Sequence, residues 1–456
     1  MNRVFNIFRK KKSYENTLLS PMTSAITEWG DLYENKKYAF GETRSLNIAA
    51  AICSELARLA TIELDSEITG SERAAYLNEQ YRCILGKSRI FLEYACAKGG
   101  IVLKPFVSGD KISVSVIQAD SFTPVSFTPE GEINGAVFYD VIQRNGYRYT
   151  RVEEHSMKNG EYFITNTVYE SRSPDEPGKP VPLCTVDEWA GLEAECRIEN
   201  IKRPLFTYLK MPAANTIDSS SPLGVSAFAK ATELIKDAYE QYTDLLWEFE
   251  SGKRALFLDE CAVRRDGEGN PSLPQKRLYR MLSTGDDALF EDWSPEIREE
   301  HILAGLDRIL RSIEFNCGLA YGTLSNSQTV DKTAEEVRAS KQRSYATVCD
   351  IQNALKKSLC ELIEIMDIYC DIYSLAPDGD YSVGFNFDDS IICDRSAEFG
   401  EKITLLEKSV IAPWEMRSWY FNEDEKTAKK MIGEINELQK RNNLAQGKGL
   451  LQTNPV

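Results

Sequence analysis

A chain of 456 residues, 42% hydrophobic and 10% aromatic, can bury large cores, and its length suggests two to four domains or one elongated multi-part subunit. Its formal charge of −16 argues against wrapping duplex nucleic acid through many phosphate contacts, although an acidic protein can stand beside DNA when its task is to let DNA pass. No run approaches the roughly 18 apolar residues of a membrane span, and eleven cysteines without a CxxC pair or a His cluster predict reduced, apolar packing groups in a reducing cytoplasm.

The first residues, MNRVFNIFRKKK, carry the bases of a signal peptide, but polar KSYENTLLSPMTSAITEWGD stands where its apolar stretch belongs. Residues 1–45 are therefore expected to form a mobile or amphipathic arm. In 46–63, LNIAAAICSELARLATIE, Ile48, Ile52, Leu56 and Leu59 fall at helical spacing. A second helix is predicted over 72–98, capped by Gly99-Gly100. The pattern then turns to short β-rich runs, GIVLKPFV, KISVSVIQ and AVFYDVIQ, with Gly-Asp or Glu-Gly turns between them. YRYTRVEEHSM and EYFITNTVYE predict a hairpin across Lys158-Asn159-Gly160, and SRSPDEPGKPVP an exposed loop. Residues 46–224 are thus an α+β domain with antiparallel strands.

After SSSPLG (219–224) a long helix is predicted from 225 to about 250, with Val225, Phe228, Ile235, Ala238, Tyr242, Leu245 and Phe249 as its stripe. It stops at Gly252. Residues 253–293 return to strand-like runs, KRALFLDECAVRR and KRLYRML, around a turn at DGEGN. A helix from Pro295, capped by Ser294, should run to Asn316 with Ile302, Leu306, Ile309 and Ile313 on one face. An uncharged stretch follows: from Phe315 to Val330 there is no Asp, Glu, Lys or Arg in a chain that is 27% charged. Next comes a helix from Lys332 to Tyr373, where Val348, Leu355, Leu362 and Tyr369 repeat at seven and Cys349, Cys360 and Cys370 sit at spacings unsuited to zinc. Its length predicts a helix that extends across a subunit or packs along neighbours. YSVGFNFDDSII (381–392) is an isolated strand that must complete a sheet elsewhere, with the earlier α+β domain as host; it and the long helices also suggest contacts between subunits. Helices fill 396–440, and RNNLAQGKGLLQTNPV reads as a disordered tail.

Nothing along the chain predicts catalysis. The two histidines, His155 in the hairpin and His301 on a helix, read as ordinary surface or packed residues. There is no GxxxxGK[ST], HExxH, GxSxG or GxGxxG. DGEGN lacks the acidic ladder of a calcium loop, and Asp388-Asp389 reads as a solvated strand end rather than a magnesium site. No cofactor and no metal are expected.

In order, then, the chain offers an α+β domain, a long helix, a small β insertion, a helix, an uncharged loop, a very long helix, a returning strand and a helical C-terminus. With EYACAKGGIVLKPFV (93–107), PLFTYLKMPAANTIDSSSPLGVSAFAKATELIKDAYEQYTDLLWEFESGKRALFL (204–258), TAEEVRASKQRSYATV (333–348) and VGFNFDDSII (383–392), it resembles the portal protein of tailed bacteriophages of the Gram-positive phage and prophage type. The resemblance implies a ring of about twelve identical subunits at one capsid vertex, a channel for double-stranded DNA in packaging and ejection. It implies partners as well: terminase, major capsid and scaffolding proteins, and a head-completion or tail adaptor, with no membrane. The protein would be located in the virion, and in the host cytoplasm during assembly. Residues 46–224 and the strand within 374–395 would be the wing, 225–252 and 295–316 the stem, and 253–294 the clip. Residues 317–331 would be the tunnel loop, 332–373 a long kinked helix, and 396–456 the crown and tail.

On this resemblance Thr323, Ser325, Asn326, Ser327, Gln328 and Thr329 face the DNA channel. Short uncharged groups touch phosphates weakly and release them, where a ring of Lys or Arg would hold on. Gly318 and Gly322 would supply backbone freedom for a loop that shifts. The clip segment 253–280 has seven basic residues against four acidic, and Arg264, Arg265, Lys276, Arg277 and Arg280 would be its docking bases. Asp286, Asp287, Glu291, Asp292, Glu296, Glu299 and Glu300 form either a solvated helix start or an acidic wall that repels DNA or meets a neighbour's basic patch. The loop alone could also be a plain connector, a disordered linker or a buried turn. Two other functions stay open: the packaging motor, which the missing phosphate loop opposes, and a capsid-associated scaffold or adaptor without DNA contact, which the acidic charge fits equally.

Overall fold

The computed structural model describes residues 20–36, 43–158, 160–173, 176–252, 255–259, 279–282, 290–293, 296–326, 334–387, 402–408, 410–421 and 425–435. The chain divides into Met1–Phe387 and Asp388–Val456. Helix and sheet are mixed throughout the first unit, as an α+β class requires.

The segment read as an arm contributes a core helix, α1 (Ser20–Tyr33), packed on the helices that follow. Met22, Ala25, Ile26, Trp29 and Leu32 are buried, an i, i+3, i+4, i+7 stripe that the polar composition around it obscured. Helix α2 (Ile48–Thr61) lies within the expected limits, with Ile48, Ile52 and Leu56 inside. The single helix expected over 72–98 is two: α3 (Glu72–Leu85) and α4 (Ser88–Lys98). Gly86 stands at the break, where its N–H closes back on Arg82, and a mid-helix glycine costs roughly 1 kcal/mol relative to alanine. The bend lets Leu77, Tyr81 and Ile84 on one helix, and Phe91, Leu92 and Ala95 on the other, all reach the core. Gly99 ends α4 at φ +83, and a Cβ there would lie 2.5 Å from the Gly224 carbonyl oxygen, so two chain segments meet at this glycine.

The named strand runs fall where expected, but Lys179–Val181, within the expected exposed loop, is itself a strand, pairing with Val168–Glu170. Strand β2 (Gly100–Ser108) lies between β3 (Lys111–Gln118) and β10 (Thr207–Lys210) in an antiparallel three-stranded sheet. A second sheet runs β4 (Phe122–Phe127), β5 (Ile133–Arg144), β6 (Tyr147–Lys158), β7 (Glu161–Ser171) and β8 (Lys179–Val181), with β9 (Glu195–Ile198) also paired to β7. The β6–β7 hairpin closes at Gly160, φ +83.

Strands β4, β8, β9 and β10 were not foreseen, and neither was β1 (Leu64–Thr69, LDSEIT), whose charged alternation hides it. It pairs antiparallel with the returning strand β14 (Ser382–Phe387), Leu64 opposite Phe387 and Ile68 opposite Val383. The returning strand thus finds its host inside the same chain. It makes no case for a neighbouring subunit, correcting that part of the oligomer argument.

Buried ion pairs lock these layers. Lys98 donates to Asp120 at 2.7 Å. Lys104 on β2 meets Glu153 on β6 at 2.6 Å, and Arg151 approaches the same carboxylate at 3.1 Å. His155, buried as a packed histidine, lies 2.7 Å from both Glu153 and the Tyr162 hydroxyl. The ionised Glu153 can only accept, so the neutral ring donates from Nε2 and its Nδ1 accepts the Tyr162 hydroxyl proton, while that oxygen accepts the Leu205 N–H at 3.1 Å.

The long helices follow. Residues 225–231, expected as helix, instead form a turn and a short 3-10 segment (Ala229–Ala231), because Ser226 and Ala227 bond to the Cys96 carbonyl at the end of α4. Helix α5 (Thr232–Ser251) comes next. Strands β11 (Ala255–Asp259), β12 (Tyr279–Leu282) and β13 (Phe290–Trp293) make a sheet with β11 central, parallel to β12 and antiparallel to β13. A parallel pair needs a crossover, so β11 and β12 are not the arms of a tight hairpin; DGEGN itself lies outside the described residues. Helix α6 (Glu299–Asn316) begins four residues after Pro295, which with Ser294 is also outside them. Helix α7 (Ala334–Tyr373) is 40 residues long, and Val348, Leu355, Leu362 and Tyr369 are buried in the first unit. Its far end is held by Arg73, which meets Asp367 at 2.9 Å, Asp371, and the Ala376 carbonyl at 3.0 Å.

The second unit is helical at 402–407, Pro413–Phe421 and 425–435. Lys402 and Lys429 lie over the rings of Trp419 and Trp414, at 4.7 and 4.3 Å. The expected tail lies outside the described residues, and among these no helix is long and apolar enough to cross a membrane.

Candidate functional site

The α5–α6 pair and the loop after it form the candidate site. Glu248, near the end of α5, accepts the Arg298 backbone N–H at 3.2 Å and its guanidinium at 3.1 and 2.9 Å. These bonds hold the Glu248 carboxyl below its ordinary range. Further along, a Cβ on Gly305 would approach Gln241. Residue 248 therefore faces 298 while 241 faces 305, and the two helices run antiparallel. β11–β13 join them at the Glu248 end and the loop leaves from the other. Outward on α5, Glu233, Asp237, Glu240, Asp244 and Trp247 are exposed at steps of three and four, Trp247 by 63%.

The loop root is the most constrained part of the site. Cys317 and Leu319 are buried, and Glu314 on the last turn of α6 is 0% exposed. Glu314 Oε1 accepts the backbone N–H groups of Gly322, Leu324 and Ser325 at 3.1, 2.6 and 2.9 Å. Its Oε2 accepts the Ser325 hydroxyl at 2.9 Å. Asp307, seven residues earlier and thus on the same helix face, accepts the Asn326 N–H at 2.8 Å. From α7, the Arg343 guanidinium lies 4.5 Å from the Phe315 ring and 5.2 Å from that of Tyr321.

Two expectations are corrected here. Gly318 and Gly322 do not loosen the loop: they hold φ +70 and +91 in a fastened turn, and a Cβ on Gly318 would fall 2.2 Å from the Thr347 hydroxyl. Ser325, expected to face a channel, is buried with its hydroxyl committed to Glu314, because a buried carboxylate must collect donors. Thr323 and Asn326 are exposed; the Thr323 hydroxyl bonds to Ala320 at 2.6 Å. Ser327, Gln328 and Thr329 lie outside the described residues, as do Arg264, Arg265, Lys276, Arg277, Asp286 and Asp287. Arg280 on β12 and Glu291 on β13 are both in register with Phe257, and Asp292 with Leu256. Glu296, Glu299 and Glu300 are exposed, the last two in the first turn of α6, where they face its positive end.

Glu314 escaped sequence reading, although a clue was present. Two acids seven apart, Asp307 and Glu314, stand before a glycine-rich segment that offers backbone donors and no cations. His301 lies exposed beside Glu248 and Arg298 in a shallow depression between α5 and α6. Among the described residues no His, Cys, Asp and Glu cluster could hold a metal, and Cys349, Cys360 and Cys370 are free thiols. The Asp388-Asp389 pair is outside them.

The family model described as phage portal protein, SPP1 Gp6-like, matches residues 86–443. No curated protein matches the chain. The matched stretch takes in β2–β14, both helices of the antiparallel pair, the fastened loop and α7, and the family is structural rather than enzymatic. The chain belongs to the phage portal protein family.

Proposed function

We propose that this portal protein assembles as a closed ring of about twelve subunits at one capsid vertex and forms the channel through which double-stranded DNA is packaged and ejected. The α5–α6 pair is its stem, β11–β13 belong to the clip, the loop after α6 is the tunnel loop, the β-rich part of the first unit is the wing, and the second unit is the crown. The clip, with Arg264, Arg265, Lys276, Arg277 and Arg280, docks terminase during packaging and the head-completion or tail adaptor afterwards. Major capsid and scaffolding proteins surround the ring. Assembly takes place in the host cytoplasm, and the finished ring resides in the virion.

One observation carries the reading. The antiparallel pair separates the strand insertion from the loop by the length of α6, 18 residues or about 27 Å. That span lets one end meet a motor while the other meets DNA inside the ring. Thr323 and Asn326 at the exposed side of the loop, with Ser327, Gln328 and Thr329 after them, offer uncharged contacts that release phosphates readily. Electron microscopy and native mass measurement of the purified chain test the proposal. The expected particle is a ring of roughly twelve times the 51.5 kDa chain mass. A monodisperse monomer across concentration and salt would overturn it.

A further inference from the structure

We propose that Glu314 is a positioning residue for the loop that meets DNA: its carboxylate occupies an anion-binding turn of the loop's own backbone, so the Gly322, Leu324 and Ser325 main-chain donors are closed to DNA. The role in DNA passage rests on the channel reading above; the fastening does not.

The geometry is that of a filled anion site. Three N–H groups, from Gly322, Leu324 and Ser325, converge on one oxygen at 3.1, 2.6 and 2.9 Å, and the Ser325 hydroxyl takes the other at 2.9 Å. Gly322 makes the turn possible at φ +91. Successive N–H groups in such a turn form a concavity that holds phosphates and other anions. Here the anion is internal, fully buried, and fixed on a helix end. Bonds to an ionised acceptor are roughly twice as strong as neutral ones, so the turn is filled by a tight ligand that does not diffuse away. Without that carboxylate, the same donors in every subunit of a ring would be free to hold passing phosphates, and each such contact adds salt-dependent affinity. A loop free of Lys and Arg would still drag.

The experiment uses the assembled full-length ring and compares the wild type with Glu314→Gln, Glu314→Ala and Ser325→Ala. Amide hydrogen exchange at 322–325 reads the fastening. It should be slow in the wild type and about 10- to 100-fold faster in Glu314→Ala. The increase should be smaller in Glu314→Gln, whose amide oxygen still accepts, and Ser325→Ala should lie between wild type and Glu314→Ala. DNA packaging then reads the consequence. Glu314→Ala rings should package more slowly, with the deficit relieved by raised ionic strength, a relief that a merely misfolded loop would not show. If Glu314→Ala fails to assemble, Glu314→Gln carries both readouts at smaller amplitude. Equal exchange in wild type and variants overturns the fastening and leaves the portal reading standing. Faster exchange with unchanged packaging overturns the positioning role and, with it, the placement of this loop against DNA.

Discussion

Glu153→Gln removes one negative charge from the place where Lys104, Arg151 and His155 converge, at 2.6, 3.1 and 2.7 Å. Glu153 and Lys104 are nearly inaccessible and His155 wholly so, which leaves little water to compensate. Breaking a buried pair by removing one partner costs about 3–5 kcal/mol, because the remaining charge stays desolvated. Hydrogen exchange of the β6 and β7 amides localises that loss, and it should reach two orders of magnitude or more, since each 1.4 kcal/mol is about tenfold. Lys104→Met in the same chain should recover much of it by removing the stranded cation. The pH dependence has two stages. Burial lowers the His155 value below 6.5, so the folded protein keeps the ring neutral while the unfolded chain takes up a proton, and stability declines as pH falls below 6.5. Burial alone would raise the Glu153 value, but Lys104, His155 and Arg151 outweigh it and hold the carboxyl far below 4.5. Its contribution is present above 4.5 and is lost as pH falls below that value. The Gln variant should keep the first stage and lose the second. A loss under about 1 kcal/mol, or a double variant no better than the single one, would refute the reasoning.

Three further outcomes are expected. Gly318→Ala should cost more than Gly109→Ala by thermal unfolding: both need positive φ, worth roughly 1–2 kcal/mol, but only Gly318 faces Thr347, at 2.2 Å from the built Cβ, whereas Gly109 has open space. Lysine at Ser327 or Gln328 should give assembled, DNA-containing particles that package slowly and recover partly at higher salt, while alanine there should be nearly silent; normal speed and length with lysine would make the segment a plain connector. Charge reversal at Arg264 and Arg265 should leave rings intact and weaken motor recruitment in a packaging assay; unchanged packaging would move the docking site elsewhere.

Much of the fold was legible because its elements obey simple periods. The α2 stripe, the β6–β7 hairpin closing at Gly160 and the heptad run of α7 all follow from side-chain spacing. The misses share a different cause: tertiary contacts outweigh local pattern. LDSEIT is a strand because β14 lies beside it, not because its side chains favour one. The turn at 225–231 exists because the Cys96 carbonyl claims its donors. Gly86 breaks a helix that periodicity alone would continue, and both resulting helices bury a face. At the site, the uncharged character of the loop was visible in the sequence, but its attachment was not. The spacing of Asp307 and Glu314 before a glycine-rich, cation-free segment is a clue, but it does not by itself say that the last acid turns inward.

That attachment changes what a low-friction loop requires. Sequence reasoning counts side chains, and by that count a stretch without Lys or Arg already releases phosphate. Every non-proline residue also carries a main-chain donor, and glycine-rich turns point several donors the same way. A loop rich in Gly, Ser and Thr is therefore not inert toward anions; left open, it is a good place to bind one. Three of the N–H groups in question end on Glu314 and another ends on Asp307. On the proposed channel reading, the buried Glu314 and the half-buried Asp307 take these donors, and the exposed Thr323 and Asn326 are left for weak, exchangeable contacts. Substitutions at the exposed positions should tune friction by adding charge, whereas substitutions at Glu314 should tune it by uncovering backbone. The two classes should therefore share a salt dependence while differing in amide exchange.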